Sequence, residues 1–316
     1  MESVRNISKK PFWVVFLFLI LLLLVTAPLY VQPYLVIFST TVLMYIVLTL
    51  SWTIFSGPTR YISLSTAAFF GVGVYMSALL GQTLLLPIVV AIGGIVSFIL
   101  AFFIGLLTLR LRGTYFIIFT FGISELIKHA LLWWEAKITG TVGRWVFGAD
   151  HTVVYYVMLI IFATTLLTAL LIKYSKFGMA LQSIGENEEA AIHIGINVTL
   201  LKTITFAISA FFMGAAGAIV ATRWTYIDPR IAFDTLFSFM PVLMAIFGGI
   251  GALYGPILGA TFFGLLEEIL ITEFPYYYML FFGLVLIVMI LFMPSGLVGL
   301  IQKYRAKWGK IKSEES

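Results

Sequence analysis

The chain has 316 residues, of which 61% are hydrophobic and only 10% charged, with a mean hydropathy of +1.09 and a net charge of +5. Soluble domains are about half apolar and about a quarter charged, so the composition excludes an ordinary water-soluble enzyme and points to a polytopic membrane protein. There is no cysteine, hence no disulfide, thiolate metal site or thiol nucleophile.

Lys9 and Lys10 precede an apolar run from Phe12 to Ala27. It is longer than the roughly 7–15 residues of a signal-peptide core, and Pro28 is a poor neighbour for a cleavage site, so it reads as a retained first span. A spanning helix needs ~20 mostly apolar residues. Nine further stretches qualify: 34–55, 64–86, 88–109, 114–134, 153–172, 201–222, 232–248, 256–272 and 278–294. Links as short as Gln32-Pro33 and Pro87 make neighbours antiparallel. The 64–86 stretch holds Ala67, Ala68, Gly71, Gly73, Ser77 and Ala78, small enough to allow a break. The expected fold is an all-α bundle of about ten transmembrane helices forming a single domain over 1–316.

Lys and Arg concentrate on the cytoplasmic side of membrane proteins. With the N-terminus inside, fourteen of the 19 fall in inside segments, four in outside segments, and Lys128 within a span. Both termini are therefore expected in the cytoplasm, as are the 173–200 loop and the basic 303–316 tail, with 135–152 outside. The positive charge is an orientation signal, and no nucleic-acid partner is expected.

The 173–200 loop is the longest inside segment, and its charge is largely acidic. Asn187 can cap a helix whose first turn carries Glu188 and Glu189, where acids suit the dipole. Gly195 can end it in a left-handed conformation. About seven residues result, too few to be stable alone in water. Ala190, Ala191, Ile192 and Ile194 are its expected exposed chemistry, and a preceding helix over 177–184 is expected to end at Gly185. Two short helices here either lie on the headgroups or dock a cytosolic partner, and acids match an anionic leaflet poorly.

Glu189-Ala190-Ala191, three residues, then Gly195 resembles the E-A-A-x-x-x-G core by which permeases of ATP-binding-cassette importers engage their ATPases. The later I-x-L-P part is absent. The run "FGMALQSIGENEEAAIHIGINV", then "LKTITFAISAFFMGAAGAIVA", "YIDP", "GGIGALYGPILGA" and "LFMPSGLVGL", is similar to branched-chain amino acid permeases of the LivM type. So are "ISLSTAAFFGVGVYMSALL" and "LRLRGTYFIIFTFGISELIKHAL" upstream. Where that family carries more basic residues early in the loop, this chain has Met179 and Gln182. The resemblance implies a permease subunit in the cell membrane. Its implied partners are a second permease subunit, two cytosolic ATPases and an extracytoplasmic binding protein. Glu188, Glu189, Ala190, Ala191 and Gly195 are then the ATPase-coupling residues.

Other constellations have two readings. Gly251, Gly255 and Gly259, and likewise Ala210, Gly214 and Ala218, recur every four residues and either pack helices closely or line a path, as do Gly71 and Gly73. Glu125, Lys128 and His129 share one helix face inside a span, where an ionisable group costs about 2.5–3.5 kcal/mol on insertion scales. They either satisfy one another, form a polar part of the path, or relay protons. Glu267 and Glu268 lie near the outer end of their span.

Enzyme chemistry finds little footing. No G-x-x-x-x-G-K-[ST] run is present, so ATP hydrolysis is expected on separate subunits. His129, His151 and His193 lack metal-ligand spacing, and neither a cofactor nor a metal is expected. The expected function is amino-acid import. Sugar or nucleoside permeases are the runner-up, and an ion-coupled secondary transporter, which would need inverted repeats and midplane ion ligands, comes after.

Overall fold

The computed structural model describes residues 24–277 and the scattered positions 280, 283, 284, 287, 296, 298 and 299. The start of the first expected span, most of 278–294 and the 303–316 tail lie outside the described residues. Helix α1 (Pro33–Thr59) begins with a proline at its first turn, where the missing N–H leaves no partner wanting. After it come α2 (Thr66–Leu80), α3 (Leu86–Thr108) and α4 (Thr114–Trp134), which runs into a π-turn at Glu135–Thr139. Strand β1 (Arg144–Trp145) precedes α5 (His151–Tyr174), α6 (Lys176–Glu186), α7 (Glu188–His193) and α8 (Val198–Val220). Strand β2 (Tyr226–Ile227), α9 (Pro229–Ala232), α10 (Leu236–Gly248) and α11 (Tyr254–Glu273) complete the described elements.

Seven helical stretches among the described residues are long and apolar enough to cross a membrane, which is an all-α membrane bundle but not the ten crossings expected. The difference has two sources. The first and last expected spans fall largely outside the described residues. The 64–86 stretch is not one long helix: residues 60–65 form no regular element and only Thr66–Leu80 is helical. Fifteen helical residues reach about 22 Å, short of the ~30 Å hydrocarbon core. The irregular lead-in is tolerated because its polar groups find partners in the bundle. Leu64 N–H donates to Thr120 Oγ1 at 3.0 Å, Ser124 Oγ donates to the Leu64 carbonyl at 3.3 Å, and Trp52 Nε1 donates to the Ser63 carbonyl at 2.8 Å. Ala67 N–H, at the head of α2, donates to Ser238 Oγ at 3.3 Å.

Helix α8 is the axis of the bundle. Its Ala210, Gly214 and Ala218 are buried, and α2 and α3 press against that stripe. A Cβ at Gly73 would collide with the Gly214 backbone, and one at Gly93 would meet Ala218 at 2.9 Å. Outward faces stay apolar, with Leu107, Ile118, Leu126, Ile160 and Leu167 all exposed, as a lipid-facing belt requires.

The loops sort to two ends. Strands β1 and β2 pair antiparallel, Arg144 opposite Ile227 and Trp145 opposite Tyr226, joining two segments expected outside. Nearby, buried Glu135 accepts from Arg144 Nε at 3.2 Å and from the Gly143 N–H at 2.9 Å, with the Tyr75 hydroxyl at 3.4 Å. At the other end, Tyr61, Arg112, Glu188 and Lys202, all from segments expected inside, meet in one cluster.

Candidate functional site

Helix α6 starts at Ser175, whose hydroxyl accepts from the Gly178 N–H at 3.2 Å. It buries Gly178, Leu181 and Ile184 and runs on through Gly185, which the sequence suggested as its end. The physical reason is packing: a Cβ at Gly185 would strike the Pro58 carbonyl at the end of α1, and one at Gly178 the Ile172 carbonyl. These glycines let α6 lie against the bundle rather than terminate it.

Asn187 caps α7, its side chain accepting from the Ala190 N–H at 3.0 Å. The helix has six residues, one fewer than expected. It closes in a Schellman motif, with Gly195 at φ +86°, Ile196 N–H to the Ala191 carbonyl at 3.0 Å and Gly195 N–H to the Ile192 carbonyl at 2.9 Å. Ala191 is 1% exposed and packs with Leu181, Ile184 and Val198, so its expected place on the outer face is corrected. Ala190, Ile192, Ile194 and Gly195 do face outward.

Glu188 also turns inward. It accepts from the Tyr61 hydroxyl at 2.6 Å and from Lys202 Nζ at 3.0 Å, with Arg112 Nε at 3.8 Å. Lys202 is fully buried one turn into α8, donating also to the Leu109 carbonyl at the end of α3 at 3.0 Å, with the Tyr61 ring centroid 4.3 Å away. Burial pushes the Glu188 carboxyl up, but the Tyr61 and Lys202 hydrogen bonds and the charges of Lys202 and Arg112 outweigh it, leaving the carboxyl below its ordinary value. It stays an anion at neutral pH and ties α7 to α8, the end of α3 and the irregular 60–65 segment at once. Glu189, largely exposed, reaches only the exposed Arg112, at 3.4 Å. The expected coupling set is thus divided: Glu188 and Ala191 anchor, while Glu189, Ala190 and Gly195 present a surface.

Sequence reasoning did not single out Lys202, Tyr61 or Arg112. A lysine one turn inside an apolar span was the available signal, because such a charge demands a partner.

The remaining expected residues lie apart from this cluster. Lys128 Nζ sits 2.6 Å from Glu125 Oε2, and Thr235 Oγ1 donates to Glu125 Oε1 at 3.2 Å, while His129 is exposed, 3.7 Å from the same carboxylate. Gly71 lies under the Phe233 ring. Gly255 meets the backbone at Gly249, where α10 has ended, whereas Gly251 has open space around it. Tyr34 donates to Glu268, and Arg223 donates to Thr41 Oγ1 at 2.9 Å.

An apolar helical bundle with a short two-helix element latched to one end defines a multi-pass membrane protein. Residues 34–290 match the family described as branched-chain amino acid transport system / permease component, and the chain belongs to that family. It is similar to the high-affinity branched-chain amino acid transport system permease protein LivM of Salmonella typhimurium, 28% identical over 95% of this chain and 79% of that protein. LivM of Escherichia coli is 27% identical over the same shares. The permease protein LivH of Salmonella typhimurium is 29% identical over 50% of this chain and 53% of its own length. No solved structure matches the chain.

Proposed function

We propose that this chain is the transmembrane permease subunit of an ATP-binding-cassette importer for branched-chain or related amino acids. Membership of the permease family carries the reading. The latch at Glu188 supports it, since a helix too short to stand alone is held rigidly with Ala190, Ile192 and Ile194 turned outward. Its partners are a second permease subunit, two cytosolic ATPases that hydrolyse the ATP, and an extracytoplasmic binding protein. The chain is one transmembrane unit over 1–316 with ten crossings, both termini cytoplasmic and the 173–200 loop docking an ATPase.

In this mechanism, closure of the ATPases displaces α7 through Glu189, Ala190 and Gly195. The Glu188–Lys202 pair passes that displacement to α8 and, through the Leu109 carbonyl, to α3. Close backbone contacts at Gly73 and Gly255 keep the helices moving as units, and Gly71 seats Phe233 against α2. A ligand-driven change of this kind needs different contacts in the two ATPase states. Glu125 and Lys128 form a polar step in or beside the path.

The test is ATP-dependent uptake in vesicles holding the full complex, across a panel of amino acids, a pentose and a nucleoside. Saturable uptake of branched-chain amino acids is expected. Uptake of the sugar alone, or uptake driven by an ion gradient without ATPases, overturns the reading. Single cysteines added to this Cys-free chain test the topology: Ser183→Cys is expected to label only from the cytoplasm, and labelling from outside overturns the docking assignment.

A further inference from the structure

A cavity of about 240 Å³ lies at the coupling end, between the last turns of α1 and α5, helix α6 and the loop after Gly249. Its floor is apolar and sealed, with Ile54 and Ala169 buried and Ile172 half-buried beside them. Its exposed rim is polar: Arg60, Gln182 and Glu186, with Lys173 half-buried next to Ile172. Arg60, Lys173 and Glu186 make no ion pair among the described residues. Arg60 is also the one non-glycine with positive φ among them, at +60°, a conformation L-residues seldom adopt.

We propose that this cavity is a cytoplasmic-side binding site for a zwitterionic amino acid with a small aliphatic side chain, and that its occupancy slows the transport cycle. The lining supplies each part of that ligand. Arg60 and Lys173 suit the carboxylate, Glu186 the ammonium, and the floor at Ile54, Ala169 and Ile172 the side chain. The volume falls below the ~300–1,000 Å³ of pockets for drug-sized molecules, which favours a small metabolite. A lipid is disfavoured because the exposed members of the lining are polar and stand at the loop end of the bundle. Regulation follows from which elements meet here. Gly178, Gln182 and Glu186 come from α6, and the rest of the wall comes largely from α1 and α5. A ligand bridging them favours whichever state keeps α6 seated and, because Leu181 and Ile184 of α6 pack against Ala191 of α7, opposes the displacement of α7 that drives import. The solute's identity and the side of the membrane rest on the importer reading; the binding itself does not.

Two measurements on the full complex test this. Labelled leucine is dialysed against the purified complex without binding protein, and initial uptake is measured with increasing leucine on the cytoplasmic side. Saturable binding and a matching several-fold fall in uptake are expected. Arg60→Asn, which keeps a residue tolerant of positive φ, and Glu186→Gln should each raise the half-inhibiting leucine concentration about tenfold, the weight of one charged hydrogen bond. Uptake without cytoplasmic leucine should be unchanged in Arg60→Asn. 4-Methylpentanoate and isoamylamine, each leucine without one charged group, should inhibit poorly. Intact ATP-driven uptake with no inhibition, or inhibition in both variants unchanged from that of the wild type, overturns the site. Sensitivity to phosphatidylglycerol but not leucine overturns it in favour of a lipid. Absence of any ATP-driven amino-acid uptake, with leucine still bound in an Arg60-dependent manner, instead faults the importer reading.

Discussion

Both ends of the bundle hold a carboxylate against a cation, and they seal opposite members of the pair. At the end that carries α6 and α7 the cation is sealed, Lys202 being 1% exposed and Glu188 17%. At the other end the acid is sealed, Glu135 being 1% exposed and Arg144 28%. A buried charge deprived of its partner is costly, while one that keeps access to water rehydrates. The partner that can be lost is therefore decided by burial rather than by sign. The settings differ as well. Glu135 also accepts a backbone N–H and fixes a loop to its own neighbourhood, whereas Glu188 fixes a separate short helix to three distant segments.

The largest effect is expected from Glu188→Leu, which strands the Lys202 ammonium. It should cost about 3 kcal/mol of stability and abolish substrate-stimulated ATP hydrolysis, against about 1 kcal/mol for Lys202→Met. Thermal unfolding of the purified complex reads this, and equal losses would break the comparison. Next, Arg144→Leu should cost about 2 kcal/mol, softened because Gly143 and Tyr75 still donate to Glu135, and Glu135→Gln about 1 kcal/mol, with ATP hydrolysis still coupled in both. Uncoupling in Arg144→Leu would mean that the two ends do not differ in role.

Glu125 and Lys128 sharpen the contrast because neither is sealed, at 29% and 15% exposed. Their single losses should be similar, with a coupling of about 1 kcal/mol in a double-mutant cycle; strict additivity would rule out a pair. Gly195→Val forces a β-branched residue into φ +86° and should cost about 1 kcal/mol while sharply lowering stimulated ATP hydrolysis. Ala190→Trp should do the same to hydrolysis with stability unchanged, and normal activity with normal ATPase retention in both variants would leave α7 as a surface helix. The smallest effect concerns pH. Because Glu188 is held below its ordinary value of 4.5, its contribution is complete above that value and lost only as pH falls through the lowered one. The stability gap between the wild type and Glu188→Gln should be flat from roughly pH 6 to 8 and close only in stronger acid.

Much of this architecture was legible in the sequence. Long apolar runs do not need tertiary context to be helical in lipid, so 34–55, 88–109, 114–134, 153–172 and 201–222 read cleanly. The caps at Asn187 and Gly195 read equally well, because capping is local chemistry. What failed to read was tertiary. Gly185 looks like a terminator until the Pro58 carbonyl is found beside it. Ala191 looks exposed on a six-residue helix until α6 folds back over it. Lys202 was counted as one more inside charge, since nothing local tells that Glu188, fourteen residues earlier, turns to meet it. The antiparallel strand pair was invisible for the same reason: its two-residue strands carry no periodicity, only a long-range pairing.

The irregular run at 60–65 sets a timetable for biogenesis. Chains enter the membrane from the N-terminus onward, yet the groups that satisfy Leu64 and the head of α2 lie far downstream. Thr120 arrives 56 residues after Leu64, and Ser238 arrives 171 residues after Ala67. Until then these peptide groups have no protein partner, and hydrocarbon offers none. Helix α2 must therefore wait, near water or sheltered by the insertion machinery, until α4 and finally α10 have been made. Helix α2 is among the last elements of this bundle to settle.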